Sequence, residues 1–173
     1  SATKERLCET LRNNLSGMSI NPNIEIIDYQ QQYAQDFAAI NLEWLEQYFY
    51  VEDYDREVLS NPQKYILDPG GYIFFVLVAE EVAGTVALIK REETFELSKM
   101  GVKPQFQGLG LGIKLMEKCI DFSKEKGWER IFLDSNRKLE PAINLYHRMG
   151  FKEIPVPEDT PYERCNIRME LYL

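Results

Sequence analysis

The stretch VKPQFQGLGLGIKLM, residues 102–116, constrains this chain more than any other. Gly108, Gly110 and Gly112 alternate there, between a segment rich in strand formers and a run of strong helix formers. Each glycine inside a regular element costs roughly 0.5–1 kcal/mol relative to alanine, so the three mark a turn. A strand, this helix and a second strand joined by short connections imply a parallel pair around the helix. The turn also offers unpaired backbone N–H groups and the positive end of a helix dipole. Those suit a phosphate or diphosphate, and glycine admits a ligand that a Cβ would hold off. On this stretch alone, a tight turn with no ligand is an equal reading. A dinucleotide fingerprint would need glycine where Ile113 stands, and a P-loop would need Gly-Lys-Ser/Thr where Gly112, Ile113 and Lys114 stand.

The surrounding pattern supplies the other elements. Residues 24–28 (IEIID) read as a strand and 31–49 as a long helix with Phe37, Ile40, Leu45 and Tyr48 among its apolar positions. A short helix is expected at 56–59 and a Pro-Gly-Gly turn at 67–72. Three β-rich segments, 72–79, 82–91 and 95–102, form an antiparallel meander. The helix after the glycines spans 111–126 and stops at Gly127, a strand follows at 130–134, and a helix at 141–149 stops at Gly150. Final strands are expected at 151–154 and 166–173. The fold class is α/β: a mixed, mostly antiparallel sheet with one parallel pair and helices on both faces. Residues 1–21, with Leu7, Leu11 and Leu15 at helical spacing ahead of NLSGMSINPN, read as an amphipathic helix and linker. That helix is expected to lie on the domain or on a partner chain, which leaves a homodimer open; residues 22–173 form the domain.

Composition excludes several roles. A formal charge of −8 disfavours nucleic-acid phosphates and anionic lipid. Apolar runs such as residues 73–79 fall far short of the ~20 residues of a membrane span. No signal-peptide pattern opens the chain, and the odd set Cys8, Cys119 and Cys165 suggests neither a disulfide framework nor a metal site. A cytoplasmic location is the expectation.

Two motifs then resemble one family. Gln107, Gly110 and Gly112 match the pattern Gln/Arg-x-x-Gly-x-Gly/Ala, and Gln105, Gly108 and Gly110 match it in a second register, behind Val102 and Pro104. This resembles the acyl-CoA-binding loop of the GNAT superfamily of N-acetyltransferases. LEPAINLYHRMGF, residues 139–151, is similar to that family's Ala-x-x-x-Tyr…Gly-Phe helix. The resemblance covers about residues 24–173 and implies acetyl-CoA as cosubstrate, with no metal. It implies that the amides of Leu109, Gly110, Leu111, Gly112 and Ile113, beside Gly108 and Gln107, hold the CoA diphosphate. Lys114 or Lys103 would stand in for the arginine many members carry at position 107. It also implies a fourth strand splayed from the following parallel strand, with Met100, Gly101 and Val102 presenting main chain to the pantetheine. Gly101 suits a bulge or a close approach, or a packing accommodation.

Acetylation of an amine raises a proton problem. A lysine-like amine of pKa ~10.4 is neutral in only about one molecule in 2,500 at pH 7, a penalty of about 5 kcal/mol. Glu96, six residues before Val102, matches the glutamate base of histone-acetylating members. With no bulge, period two would put Glu96, Met100 and Val102 on one face. A solvated glutamate is the ordinary alternative. Tyr146, four residues after Ala142, occupies the position of the family's usual proton donor to the departing thiolate. His147 sits beside Arg148 on the polar face and is read as solvated. Acceptor selection is expected from residues 41–57, where Trp44, Tyr48, Phe49 and Tyr50 accompany Glu43, Glu46, Glu52, Asp53 and Asp55; Trp44, Tyr48 and Glu52 are the named candidates for binding an ammonium. PEDTPYERCN, residues 157–166, is the expected opposite wall. The readings are acetylation of a small, cationic primary amine by direct attack, acetylation of a protein or peptide amino group, or acyl-CoA sensing without catalysis.

Overall fold

A computed structural model describes residues 22–173; the expected helix around Leu7, Leu11 and Leu15 lies outside the described residues. Strands β1 (Ile24–Asp28), β2 (Tyr72–Val78), β3 (Glu81–Lys90), β4 (Phe95–Val102), β5 (Arg130–Ser135), β6 (Lys152–Ile154) and β7 (Ile167–Tyr172) form one seven-stranded sheet in the order β1-β2-β3-β4-β5-β7-β6. Helices α1 (Ala34–Tyr48), α2 (Asp53–Ser60), α3 (Leu111–Glu125) and α4 (Glu140–Arg148) complete it. Among the described residues only the β4–β5 pair is parallel, so the sheet is mixed and mostly antiparallel, as expected. Among the described residues no helix is long and apolar enough to cross a membrane.

Strand β2 explains why the sequence there is a continuous apolar run and not an alternating one. Ile73, Phe75 and Leu77 pack into one core with Phe37, Ile40 and Leu45 of α1 and Val58 and Leu59 of α2. Phe74, Val76 and Val78 pack into a second core with Leu111, Leu115, Met116 and Cys119 of α3. A strand covered on both faces needs apolar side chains at every position.

Helix boundaries follow local chemistry. Helix α2 starts at Asp53, earlier than the expected 56, because Asp55 accepts the backbone N–H of Glu52 at 3.0 Å in a capping-box arrangement. A π-helical turn at Gln63–Leu67, unexpected from sequence, leads to β2. Helix α4 begins with Pro141 in its first turn, and Gly150 follows its end at φ 98°.

Two irregularities in β4 shape the site. Thr85 of β3 pairs with Gly101 while Ala87 pairs with Ser98, so β4 carries an extra residue, and Lys99 takes φ 53°. The bulge breaks the assumed alternation. Leu97, Met100 and Val102 face the α3 core, whereas Gly101 lies against α1, where a Cβ would come 2.8 Å from Ile40 Cγ2. Glu96 therefore does not share a face with Met100 and Val102, contrary to the period-two expectation. The packing-accommodation reading of Gly101 holds, because the group it makes room for is the Ile40 side chain; the bulge itself falls two residues earlier, at Lys99. In addition, β4 pairs with β5 only at Phe95–Ile131 and Glu96–Phe132; beyond Glu96 the two strands part.

Candidate active site

A cavity of about 580 Å³ fills the wedge where β4 and β5 part. Its floor is the stretch of β4 from Glu96 to Met100 and the end of β5; α4 contributes Pro141, Ala142 and Tyr146. Of Met100, Gly101 and Val102, Met100 alone lines it. Backbone groups on the parted strand edges have lost their sheet neighbour, which is the arrangement strand addition requires.

The glycine turn lies between β4 and α3. Gly108 and Gly110 have φ 86° and 71°, a conformation that favours glycine. A Cβ built on Gly108, Gly110 or Gly112 would meet nothing within 4 Å, so no internal packing demands these glycines and the loop face is open to an approaching group. Lys114 donates its backbone N–H to the Gly110 carbonyl at 3.2 Å, while no carbonyl among the described residues takes the amides of Leu111, Gly112 and Ile113. Leu109 and Ile113 are exposed. These residues fit a diphosphate: open space, unpaired amides and a helix N-terminus converge. Gln107 is exposed just before the turn, and Gln105 is half-buried in the preceding 3-10 turn, Pro104–Phe106. Lys103 pairs with Asp36 at 3.6 Å, whereas Lys114 is exposed on the first turn of α3.

Tyr146 projects from α4 into the cavity and packs on Phe151 at 6.2 Å between ring centroids. Burial pushes its phenol up to about 12. Glu96 lines the cavity from β4 and is almost fully buried. Its Oε1 accepts from Arg91 Nε at 3.0 Å and from the terminal guanidinium nitrogen at 2.8 Å; no donor among the described residues reaches Oε2. His147 is exposed, as read from the sequence.

The other end of the cavity is walled by Asn41, Trp44, Tyr48 and Phe49 of α1 and its C-terminal edge, and by Tyr162, Arg164 and Cys165. Of the expected opposite wall (residues 157–166), Tyr162, Arg164 and Cys165 line the cavity. An ionic chain holds that wall. Arg164 grips Asp55 with two nitrogens at 2.7 and 2.8 Å and reaches Glu52 at 2.7 Å. Lys99 donates to Asp55 at 3.3 Å and to the Tyr162 hydroxyl at 2.9 Å. Burial penalises the Asp55 carboxylate, but hydrogen bonds from Arg164 and the charge of Lys99 outweigh it and hold its pKa below the usual range. For Lys99 burial dominates and lowers the ammonium pKa. Lys138 closes the rim, lying 3.8 Å over the Phe49 ring and donating to the Tyr48 carbonyl.

Residues 37–151 match the acetyltransferase (GNAT) family. The chain belongs to that family. An uncharacterized N-acetyltransferase of Schizosaccharomyces pombe is 30% identical over 130 residues, 70% of this chain and 77% of that protein. An acetyltransferase of the GNAT family from Staphylococcus aureus Mu50 has a similar crystal structure, with a TM-score of 0.77 at 25% identity over 87% of this chain and 99% of that one. The PaiA N-acetyltransferase of Thermoplasma acidophilum, solved in complex with coenzyme A, shares the fold with a TM-score of 0.66 at 18% identity over 87% of this chain and 99% of that one. The protein is therefore a GNAT N-acetyltransferase, and the family uses acetyl-CoA.

In this acetyltransferase, the expected acidic character of the acceptor wall is not what the fold delivers. Glu43, Glu46 and Asp53 are exposed outside the cavity. Glu52 stands behind the wall, occupied by Arg164 and by the backbone N–H of Glu163 at 3.0 Å. Trp44 and Tyr48 do line the cavity. Sequence reasoning missed Lys99, Arg91 and Arg164. A lysine in mid-strand and an arginine inside the candidate wall were visible signals, but their carboxylate partner lies 44 and 109 positions away, separations no local pattern reports; Arg91 meets Glu96 only 5 positions on, across the β3–β4 turn.

Proposed function

We propose that this N-acetyltransferase moves the acetyl group of acetyl-CoA to the primary amine of a small molecule by direct attack. One observation carries the reading: a single cavity at the parting of β4 and β5 is lined both by Tyr146 of α4 and by Glu96 of β4. Acetyl-CoA, when bound, supplies the acetyl group as a thioester. The amides of Leu111, Gly112 and Ile113, with those of Leu109 and Gly110, hold its diphosphate, Lys114 adds charge, and the main chain at Met100 to Val102 lies along the pantetheine. The Glu96 Oε2, without a donor of its own, attracts an incoming ammonium and takes its proton directly or through water. Tyr146, protonated throughout the physiological range, donates to the leaving thiolate. Trp44 and Tyr48 give the amine a flat apolar wall and a cation–π surface.

The test is release of free CoA thiol from acetyl-CoA in the presence of a panel of small amines and short peptides. Turnover on small amines is expected. Turnover confined to peptides would replace the acceptor with a protein amino group. Tight CoA binding with no turnover on any amine would contradict catalysis and leave a binding protein.

A further inference from the structure

Tyr162 is 4% exposed, yet it lines the acceptor end of the cavity. Its ring is fixed edge-on against Tyr54, with centroids 5.4 Å apart, and the Arg164 guanidinium lies 4.6 Å over it. Its hydroxyl accepts from Lys99 Nζ at 2.9 Å. An oxygen that accepts from an ammonium still carries its own proton, and no acceptor among the described residues takes it. A buried donor of this kind is costly to leave unmade. The hydrogen bond from a cation polarises the O–H and makes it a stronger donor.

Two neighbouring side chains that line the cavity offer acceptors. Asn41 commits one amide hydrogen to the Phe37 carbonyl at 3.0 Å and keeps its carboxamide oxygen as an acceptor, and Glu96 offers Oε2. The acceptor end therefore presents oxygens for an amine and one cation-backed donor for an oxygen. Resting on the acetyltransferase reading above, we infer that Tyr162, backed by Lys99, receives a carbonyl or carboxylate oxygen adjacent to the acceptor amine, so that the enzyme selects α-amino carbonyl compounds over plain amines. Tyr162 is then a specificity-determining residue and Lys99 a positioning residue. The backbone cost of Lys99 in the left-handed region is consistent with that duty, because the bulge aims its side chain at Tyr162.

The experiment compares kcat/KM, by thiol release and expressed per neutral amine at each compound's own measured pKa, for phenylalaninamide and phenethylamine, which differ by the carboxamide group. The wild type is expected to prefer the amide by roughly 10-fold or more, the cost of leaving a buried donor unpaired. Tyr162→Phe is expected to shrink that ratio to below about 3-fold through the carbonyl compound alone, with phenethylamine turnover and CoA affinity by calorimetry unchanged. Free phenylalanine and a phenylalanyl dipeptide distinguish the two sources of such an oxygen, a carboxylate or a peptide carbonyl. Equal turnover of the matched pair by the wild type would overturn the inference while leaving the acetyltransferase reading intact. Equal loss on both compounds in Tyr162→Phe would also overturn it, because that marks a merely structural ring. No release from any amine would overturn both.

Discussion

Tyr146 is half-buried on α4, and burial raises its phenol to about 12. It therefore keeps its proton at any pH the enzyme would meet, which suits an acid and not a base. Tyr146→Phe should lower kcat by roughly 10²–10⁴, the usual worth of a positioned acid, and leave CoA affinity within about 3-fold. Stopped turnover with intact calorimetric binding checks it. Gly110 makes a different demand. At φ 71° a β-branched residue is strained by roughly 1–2 kcal/mol, and its side chain enters the open face of the turn. Gly110→Val should weaken CoA binding at least 10-fold while thermal unfolding remains cooperative; unchanged affinity would remove the turn from the binding site. Both residues were legible because their surroundings are local in sequence: a glycine turn and a one-helix motif. Lys99 was not, since its partners arrive from α2 and from the segment before β7, and its direction is set by a bulge. Glu96 was legible as a residue but not in its facing, for the same reason.

The helices and strands were largely readable because their periods are strong. The meander, α3 and α4 appeared close to their expected bounds, and β2 showed its double burial as an unbroken apolar run. What failed were features decided by side chains outside the element: the early start of α2, created by Asp55, and the π-helical turn after it. Asp55 also ties α2 to the segment carrying Arg164. Its carboxyl titrates below the ordinary value in the folded protein, so it contributes stability that is present above the unfolded pKa of ~3.9 and lost as pH falls through the folded value. Asp55→Asn should destabilise the protein by about 3 kcal/mol at pH 7, since two buried cations lose their shared counter-charge. The same variant should show a flatter loss of stability below about pH 4 than the wild type. Urea denaturation at both pH values measures this; equal slopes would mean that Asp55 does not govern the acid limb.

Taken together, the strands define a sheet that is sealed on one half and split on the other. The antiparallel meander β1 to β4 and the β5-β7-β6 group meet at just two residue pairs, and everything proposed for this acetyltransferase occurs where that seam opens. The resemblance in two short motifs carried this architecture correctly. It could not supply the charge balance of the acceptor wall, which depends on contacts between segments about a hundred residues apart. If the seam and the glycine turn, which exist only in the folded protein, hold CoA as proposed, CoA at 100 times its Kd should add about 2.7 kcal/mol of stability, a rise in Tm of roughly 5–10 °C for a chain of this length. The most direct measurement is a crystal structure grown with CoA. The diphosphate oxygens should lie about 2.7–3.2 Å from the amides between Leu109 and Ile113, with the sulfur in the wedge near Met100 and Tyr146. A diphosphate bound elsewhere, or a wedge closed by β4 and β5 pairing beyond Glu96, would contradict the account.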